Sequence, residues 1–313
     1  MDIDLPQGYT MIRLLGSGQT SHVYLTQHEQ YGEVALKLLR PEIKDVYELT
    51  RMFTNEVYLT RRLHHPFIIA AYDGKPTEPG AYLSLEYCSR GTLDQFLLKQ
   101  RFFDLEISYK LILQIAAGLS FSHKRAILHR DVKPANILLK ANGEPRLADF
   151  GTGVYIDKVP SNERVGTAFY MAPELFQGAP ASVQSDIYSL GILAYELLLG
   201  ERPFMGKTHE ELIFAHLNKM PTNPQHIRPE ISSRVSGVLM KSLSRNPDKR
   251  FQSVEDFTSA LSHASKVSIK LSFEDEGPSV GRSSRQQNSD TPTLTKPEQP
   301  NFWQRLFGRN KKS

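Results

Sequence analysis

The chain has one cysteine, Cys88, so no internal disulfide can form and a disulfide-stapled scaffold is excluded. Its apolar runs are short. The longest, near Leu111–Phe121 and Leu190–Leu199, reach about half of the ~20 residues that a bilayer span needs. Met1–Pro6 carries two Asp and no apolar run, so a signal peptide is not expected. No internal repeat is apparent, which excludes a solenoid. Charge of one sign is also scarce over most of the chain. Residues 1–265 hold 29 basic and 29 acidic side chains, and the net +4 comes from Lys266 onward. A neutral body lacks the basic stripe that nucleic acid requires, so no nucleic-acid partner is expected. These absences point to a cytoplasmic globular protein, and 313 residues with 40% hydrophobic content are enough for a substantial core.

Composition divides the chain. From Tyr9 to Leu39, β-branched and aromatic residues alternate with polar ones around Gly16 and Gly18, predicting short strands about a glycine-rich turn. Leu49, Met52, Phe53, Glu56, Leu59 and Leu63 recur at helical spacing, predicting a helix over Val46–Leu63. Two more strands are expected near Ile68–Tyr72 and Ala81–Glu86. Beyond Leu93 helical patterns dominate: Leu93–Lys99, Ile107–Lys124, Asp186–Leu199, Glu210–Asn218, Arg234–Leu243 and Val254–Ser265. A small β-rich lobe thus precedes a larger α-rich one. Residues 265–300 are rich in Ser, Thr, Pro and Gln with few apolar side chains; such a segment cannot offset the entropy of ordering and is expected to be disordered.

Chemistry concentrates in a few short motifs. "LHRDVKPANILL" sets Asp131 two residues before Lys133 and five before Asn136. A carboxylate beside a cation and an amide can deprotonate a hydroxyl next to a phosphate. Eighteen residues after Asp131 comes "DFG", whose Asp149 offers an oxygen ligand to a hard cation such as Mg²⁺. Upstream, "GSGQTSHV" can bring backbone N–H groups to phosphates, and "VALK" supplies Lys37 from a strand.

Glycine-rich loop, strand lysine, helix glutamate, His-Arg-Asp, Asp-Phe-Gly and Ala-Pro-Glu occur here in one order over about Tyr9–Ala264. Six ordered motifs resemble the eukaryotic-type (Hanks-type) serine/threonine protein kinases, in a compact bacterial-like form. The resemblance implies an α+β bilobal fold with one domain over 9–264: an N-lobe to about residue 85, a hinge over 86–91 and a C-lobe over 92–264. It implies ATP and Mg²⁺ (or Mn²⁺) as cofactors and protein Ser/Thr hydroxyls as acceptors. Asp131 would accept the hydroxyl proton, with Lys133 neutralising the γ-phosphate; Asn136 and Asp149 would hold the metal. Leu15, Gly16, Ser17, Gly18 and Val23 would cover the nucleotide, and Lys37, paired with Glu56, would contact its phosphates. Ala35 and Leu138 would sandwich the adenine, which Glu86 and Cys88 would bond through their backbones behind a gatekeeper Leu85. His129 would support the catalytic loop from the core, and Glu174, Asp186 and Arg250 would be structural, Glu174 pairing with Arg250. Thr167 would line the acceptor pocket.

The sequence departs from the family pattern in four places. Ser21 replaces the third glycine of the loop. Thr60, four residues after Glu56, and Ala71 stand where bulky apolar side chains usually stack toward Phe150, so the helix carrying Glu56 is expected to be loosely packed and to need a clamp, such as a partner or a dimer. Finally, Glu163 occupies the position at which many relatives carry a phosphorylatable Thr facing the arginine of His-Arg-Asp, here Arg130. A carboxylate carries one charge against a phosphate's ~1.5 to 2, which predicts a weaker but permanent clamp, with Ser161 and Thr152 as secondary phosphorylation sites.

The end of the chain, residues 301–313, places Phe302, Trp303, Leu306 and Phe307 on one helical face beside Arg305 and Arg309, with Lys311 and Lys312 following. It reads either as a frayed end or as a weak anchor to anionic membrane. Thr291, Thr293 and Thr295 are candidate autophosphorylation sites for a phosphopeptide-binding partner. Two other functions compete with protein phosphorylation: a pseudokinase-like nucleotide-binding scaffold and a small-molecule phosphotransferase. The presence of Lys37, Asp131, Asn136 and Asp149 together argues against the first, and the intact "GTAFYMAPE" segment against the second.

Overall fold

A computed structural model describes residues 4–99, 103–160 and 166–269 of the chain. The first lobe is an antiparallel sheet with one helix. Strands β1 (Tyr9–Ser17), β2 (Ser21–His28), β3 (Gly32–Leu39), β4 (Ala71–Lys75) and β5 (Tyr82–Glu86) lie in the order β1-β2-β3-β5-β4. The period-2 alternation of β3 sets its two faces: Val34 and Leu36 join Tyr9 in a small core on one side. On the other, Ala35 packs with Leu85, Cys88 and Leu138, and Lys37 follows two residues on. Lys37 sits opposite Val23 of β2 and Leu83 of β5, which fixes its place in the sheet.

Helix α1 (Tyr47–Thr60) buries Phe53, Glu56, Val57, Leu59 and Thr60, a stripe at three- and four-residue spacing. Phe53 and Val57 enter the same core as Leu83, Leu85 and Ile69. The fourth strand begins later than its apolar residues suggest. Ile68 forms a lone parallel bridge to Leu147, and the Ile69 N–H donates to the Leu147 carbonyl at 3.0 Å. The Ile68–Ile69 pair is thus spent joining the lobes, and the strand starts at Ala71, taking in Asp73–Lys75, which the sequence pattern placed in a loop.

The second lobe is built on helices α2 (Leu93–Leu97), α3 (Leu105–Lys124), α4 (Pro173–Phe176), α5 (Val183–Leu199), α6 (His209–Asn218), α7 (Pro224–Ile227), α8 (Ser233–Ser242) and α9 (Val254–Ser265). Four short strands, β6 (Ile127–Leu128), β7 (Ile137–Leu139), β8 (Pro145–Leu147) and β9 (Val154–Tyr155), pair as β6-β9 and β7-β8. Capping explains why α3 and α5 start before their apolar periodicity. Asp104 accepts the N–H groups of Glu106 and Ile107, and Ser182 caps α5 in a reciprocal pair with Ser185. Helix α5 ends at Gly200, whose φ of 72° is the left-handed turn that glycine adopts without strain. Helix α5 is buried on nearly every side, so it forms the centre of this lobe. The loops that follow β6 and β8 carry Asp131, Lys133 and Asp149.

Candidate active site

One cleft of about 470 Å³ is lined by Gly18–Ser21, Val23, Lys37, Met52, Glu56, Asp131, Lys133, Asp149, Gly151, Thr152, Gly166 and Thr167. On its upper wall Lys37 Nζ lies 2.5 Å from Glu56 Oε1. Glu56 is buried and Lys37 is largely enclosed. Burial alone would lower the lysine pKa, but Glu56 and Asp149 outweigh it and hold Lys37 above its ordinary value, so it stays an ammonium. Burial pushes Glu56 up against the opposing pull of Lys37. The glycine-rich turn closes the roof: the Gly18 N–H donates to the Ser21 carbonyl at 2.8 Å, and Arg40 reaches the Gly18 carbonyl at 3.2 Å. Ser21 is buried as the first residue of β2 with no positive φ, so the backbone at this position does not require glycine.

On the lower wall, Asp131 is held from three directions. Its Oδ1 accepts the Thr167 N–H at 3.0 Å, and its Oδ2 meets Lys133 Nζ at 2.6 Å and Asn136 Nδ2 at 3.0 Å. Lys133 also donates to the Thr167 hydroxyl at 2.6 Å, so cation, carboxylate and hydroxyl form one cluster. Asn136 Nδ2 further bonds the Asp131 carbonyl at 2.8 Å, which fixes the amide's orientation and turns its oxygen the other way. Asp149 adopts a φ of 66° and Arg130 a φ of 68°, left-handed values uncommon for side chains with a Cβ.

Buried partners hold these strained turns. Asp186 accepts the N–H groups of His129 and Arg130 and the ring of His123, all within 2.9 Å. Burial would raise its pKa, but those partners win and keep the carboxyl below its ordinary range. His129 is buried, its ring 4.6 Å from that of Phe150. Its Nε2 faces the Ala148 carbonyl at 3.1 Å and must donate; its Nδ1 accepts the Asp131 N–H at 3.3 Å. The imidazole is therefore neutral and supports the loop. Arg130 Nε donates to the Thr152 carbonyl at 2.5 Å, and the Thr152 hydroxyl donates to the His129 carbonyl at 3.0 Å. Thr152 is buried and its hydroxyl is committed, so in this conformation it is a brace rather than an exposed acceptor. Glu174 and Arg250 form two bonds of 2.7 Å, and Arg250 also donates to the carbonyls of Gln184, Ser244 and Arg245.

Ala35 and Leu138 are not among the residues lining this cleft; they pack against the core that contains Leu85 and Cys88. Burial pushes the Cys88 thiol up to about 12, so it is a neutral, inert side chain. The Glu86 N–H is taken by the Ala70 carbonyl at 2.9 Å, and its carboxylate is bound by Lys140 at 2.6 Å and Arg146 at 2.9 Å. In β1 the register slips between Leu14 and Gly16, on either side of Leu15, while Ser17 bonds His22 at 2.7 Å. Ser161 and Glu163 lie outside the described residues, as do residues 301–313 and Thr291, Thr293 and Thr295.

Two contributions had no signature in the motifs. Met52 lines the cleft one turn before Glu56. Asn55 Nδ2 lies 3.3, 3.0 and 2.7 Å from the carbonyls of Phe150, Gly151 and Gly153. Only its place beside Glu56 on α1 could have marked it.

The family model described as "Protein kinase domain" matches residues 9–264. The chain belongs to the protein kinase domain family. Among relatives, it is 33% identical to a serine/threonine-protein kinase (drp72) of Corynebacterium efficiens, over 81% of this chain and 50% of that protein. It is 31% identical to the serine/threonine-protein kinase PknB of Mycolicibacterium smegmatis, over 82% of this chain and 43% of the relative. With the serine/threonine-protein kinase PrkC of Bacillus subtilis it shares 29% identity, over 82% and 40% respectively. The chain thus matches half or less of the length of these curated relatives. The kinase-family bilobal fold, a five-stranded antiparallel sheet followed by a helical lobe, is what the motif order implied. Among the described residues no helix is long and apolar enough to cross a membrane.

Proposed function

We propose that this chain is an ATP-dependent serine/threonine protein kinase that transfers the γ-phosphate to protein hydroxyls and phosphorylates itself. The observation that carries this reading is the Asp131–Lys133–Thr167 cluster facing the Lys37–Glu56 pair across one cleft. Asp131 is positioned to take the proton of a Ser or Thr hydroxyl as its oxygen bonds the γ-phosphorus and the bond to the β-phosphate oxygen breaks. Lys133 stands where negative charge gathers on the phosphoryl group, and Lys37 where it gathers on the α- and β-phosphates. Little covalent help is needed; positioning and charge compensation supply most of the acceleration.

The donor set fits Mg²⁺ or Mn²⁺. Asp149 and Asn136 present oxygens, the second fixed by the amide's bonds to Asp131. Among the described residues no three His, Cys, Asp or Glu side chains form a ready-made cage, as suits a metal that takes much of its shell from phosphates and water. When bound, the metal would neutralise the phosphate oxygens.

The domain limits belong to this reading: a kinase domain over 9–264, a Ser/Thr/Pro-rich linker over 265–300 and a basic-aromatic end over 301–313. So do protein substrates, a phosphopeptide-binding partner or anionic membrane at that end, and a cytoplasmic or membrane-peripheral location. Glu163 as a permanent partner of Arg130 is part of it too. Phosphosite mapping after incubation with Mg²⁺-ATP tests the activity. Wild type should label Ser and Thr, and Asp131→Asn should fall by roughly 10²- to 10⁴-fold. Absence of label in wild type with good acceptors would favour the scaffold reading.

A further inference from the structure

We infer that Asn55 is a positioning residue that ties the metal-holding segment to α1, so that one helix sets both walls of the phosphate site. Glu56 fixes Lys37, and the adjacent Asn55 fixes the strip that begins with Asp149. Its amide nitrogen lies within 3.3 Å of three carbonyls, those of Phe150, Gly151 and Gly153. An amide nitrogen carries two hydrogens, so the two nearer carbonyls, of Gly153 and Gly151, take the better bonds and Phe150 shares.

Three converging carbonyls form a collar that only a donor can fill. The Phe150 carbonyl also accepts the Gly153 N–H at 2.9 Å, so loss of Asn55 falls on the Gly151 and Gly153 carbonyls, which without that donor would repel one another and let the strip relax. Asp149 is already held at a left-handed φ of 66°, and a strained turn persists only where its surroundings over-determine it. The strip also approaches α1 closely. A Cβ on Gly153 would lie 2.8 Å from Leu59 Cδ1 and 3.0 Å from the Phe150 carbonyl; one on Gly151 would lie 3.3 Å from the Met52 carbonyl. Glycine at both positions lets the helix come near enough for Asn55 to reach. One turn further along α1, the Thr60 hydroxyl is buried with no hydrogen-bond partner among the described residues, so that end gains nothing from its polar group. The collar at Asn55 is therefore a directional hold on α1 beside the Lys37–Glu56 bond and the bond from the Thr54 hydroxyl to the Pro76 carbonyl at 2.8 Å.

The inference rests on Asp149 holding the cation. A displaced strip would move Asp149, not the adenine pocket, so loss of Asn55 should appear in the metal requirement and in kcat, with little change in metal-free nucleotide binding. The test compares Asn55→Ala, the isosteric Asn55→Asp, which offers acceptors where donors are needed, and Asp149→Asn, on the full chain. Mg²⁺ is titrated at saturating ATP, and affinity for a fluorescent ADP analogue is read in EDTA. Both Asn55 variants should raise the Mg²⁺ concentration for half-maximal rate at least fivefold and lower kcat about tenfold or more, with EDTA affinity within twofold of wild type. Retained EDTA affinity also reports a folded cleft; if Asn55→Ala fails that criterion, Asn55→Ser, which keeps one short donor and should show an intermediate Mg²⁺ shift, replaces it. A wild-type Mg²⁺ profile in the folded Asn55 variants, with Asp149→Asn shifted, overturns the role of Asn55 alone. A flat response in Asp149→Asn as well overturns the metal assignment and the inference with it.

Discussion

Arg250 shows how much one side chain can carry. It is buried, stacked 4.8 Å from the Tyr188 ring, and donates to Glu174 and three backbone carbonyls. Removing it strands a carboxylate and three acceptors away from water, which costs far more than the pair contributes when intact. Arg250→Ala should destabilise the domain by about 3–5 kcal/mol in chemical denaturation; a loss under about 1 kcal/mol would mean that water reaches the site. The family resemblance implied Glu174 and Arg250 as a pair, from the positions they occupy in its motifs. They gave no hint of the Gln184, Ser244 and Arg245 carbonyls, since backbone partners come from chain path rather than residue identity. Asn55 escaped for the same reason: its three acceptors lie about 95 residues away in the chain.

At the scale of elements, α1 is the part on which the cleft depends. Its apolar stripe was legible in the periodicity, and the ends differed only where Val46 and the turn after Thr60 bound it. The expectation of under-filled positions meets a specific geometry. Thr60 is buried with a hydroxyl that has no partner among the described residues, and Ala71 is half-buried on β4 opposite Leu85. In this chain the helix is nevertheless held inward, through Glu56 on Lys37 and Asn55 on the segment after Asp149. Thr60→Leu with Ala71→Leu should stabilise the inward helix by about 1–3 kcal/mol and raise basal activity several-fold. A folded double variant with an unchanged or lower rate in a steady-state phosphorylation assay would show that packing at these positions does not limit the helix.

Over the whole molecule, buried histidines make stability depend on pH. His216 is enclosed by the rings of Phe176, Tyr188 and Phe204, and its Nδ1 is hydrogen-bonded with the Tyr188 hydroxyl at 2.9 Å. Burial lowers its pKa to about 4, against 6.5 for the free side chain. The unfolded chain therefore takes up a proton at a pH where the native one does not. Stability is unaffected above about 6.5 and falls as the pH drops from there to about 4, by roughly 3 kcal/mol for this residue. His216→Phe should flatten that part of the profile in denaturant titrations between pH 7 and pH 4; an unchanged slope would place the proton uptake elsewhere.

Sequence alone determined the architecture, because it is written in local, periodic signals. Alternation in β3, a helical stripe in α1 and long apolar helices after Leu93 can each be read within a few residues of where they form. The order of the short motifs determined the family in the same way, by residue types at fixed spacings. Tertiary structure decided what those residues touch. It placed Asp131 against Thr167, set Thr152 as a buried brace, turned the Glu86 carboxylate to Lys140 and Arg146, and brought Asn55 to three distant carbonyls. Such contacts depend on how separate elements pack and on where backbone acceptors point, and neither is encoded in the spacing of side chains along one element.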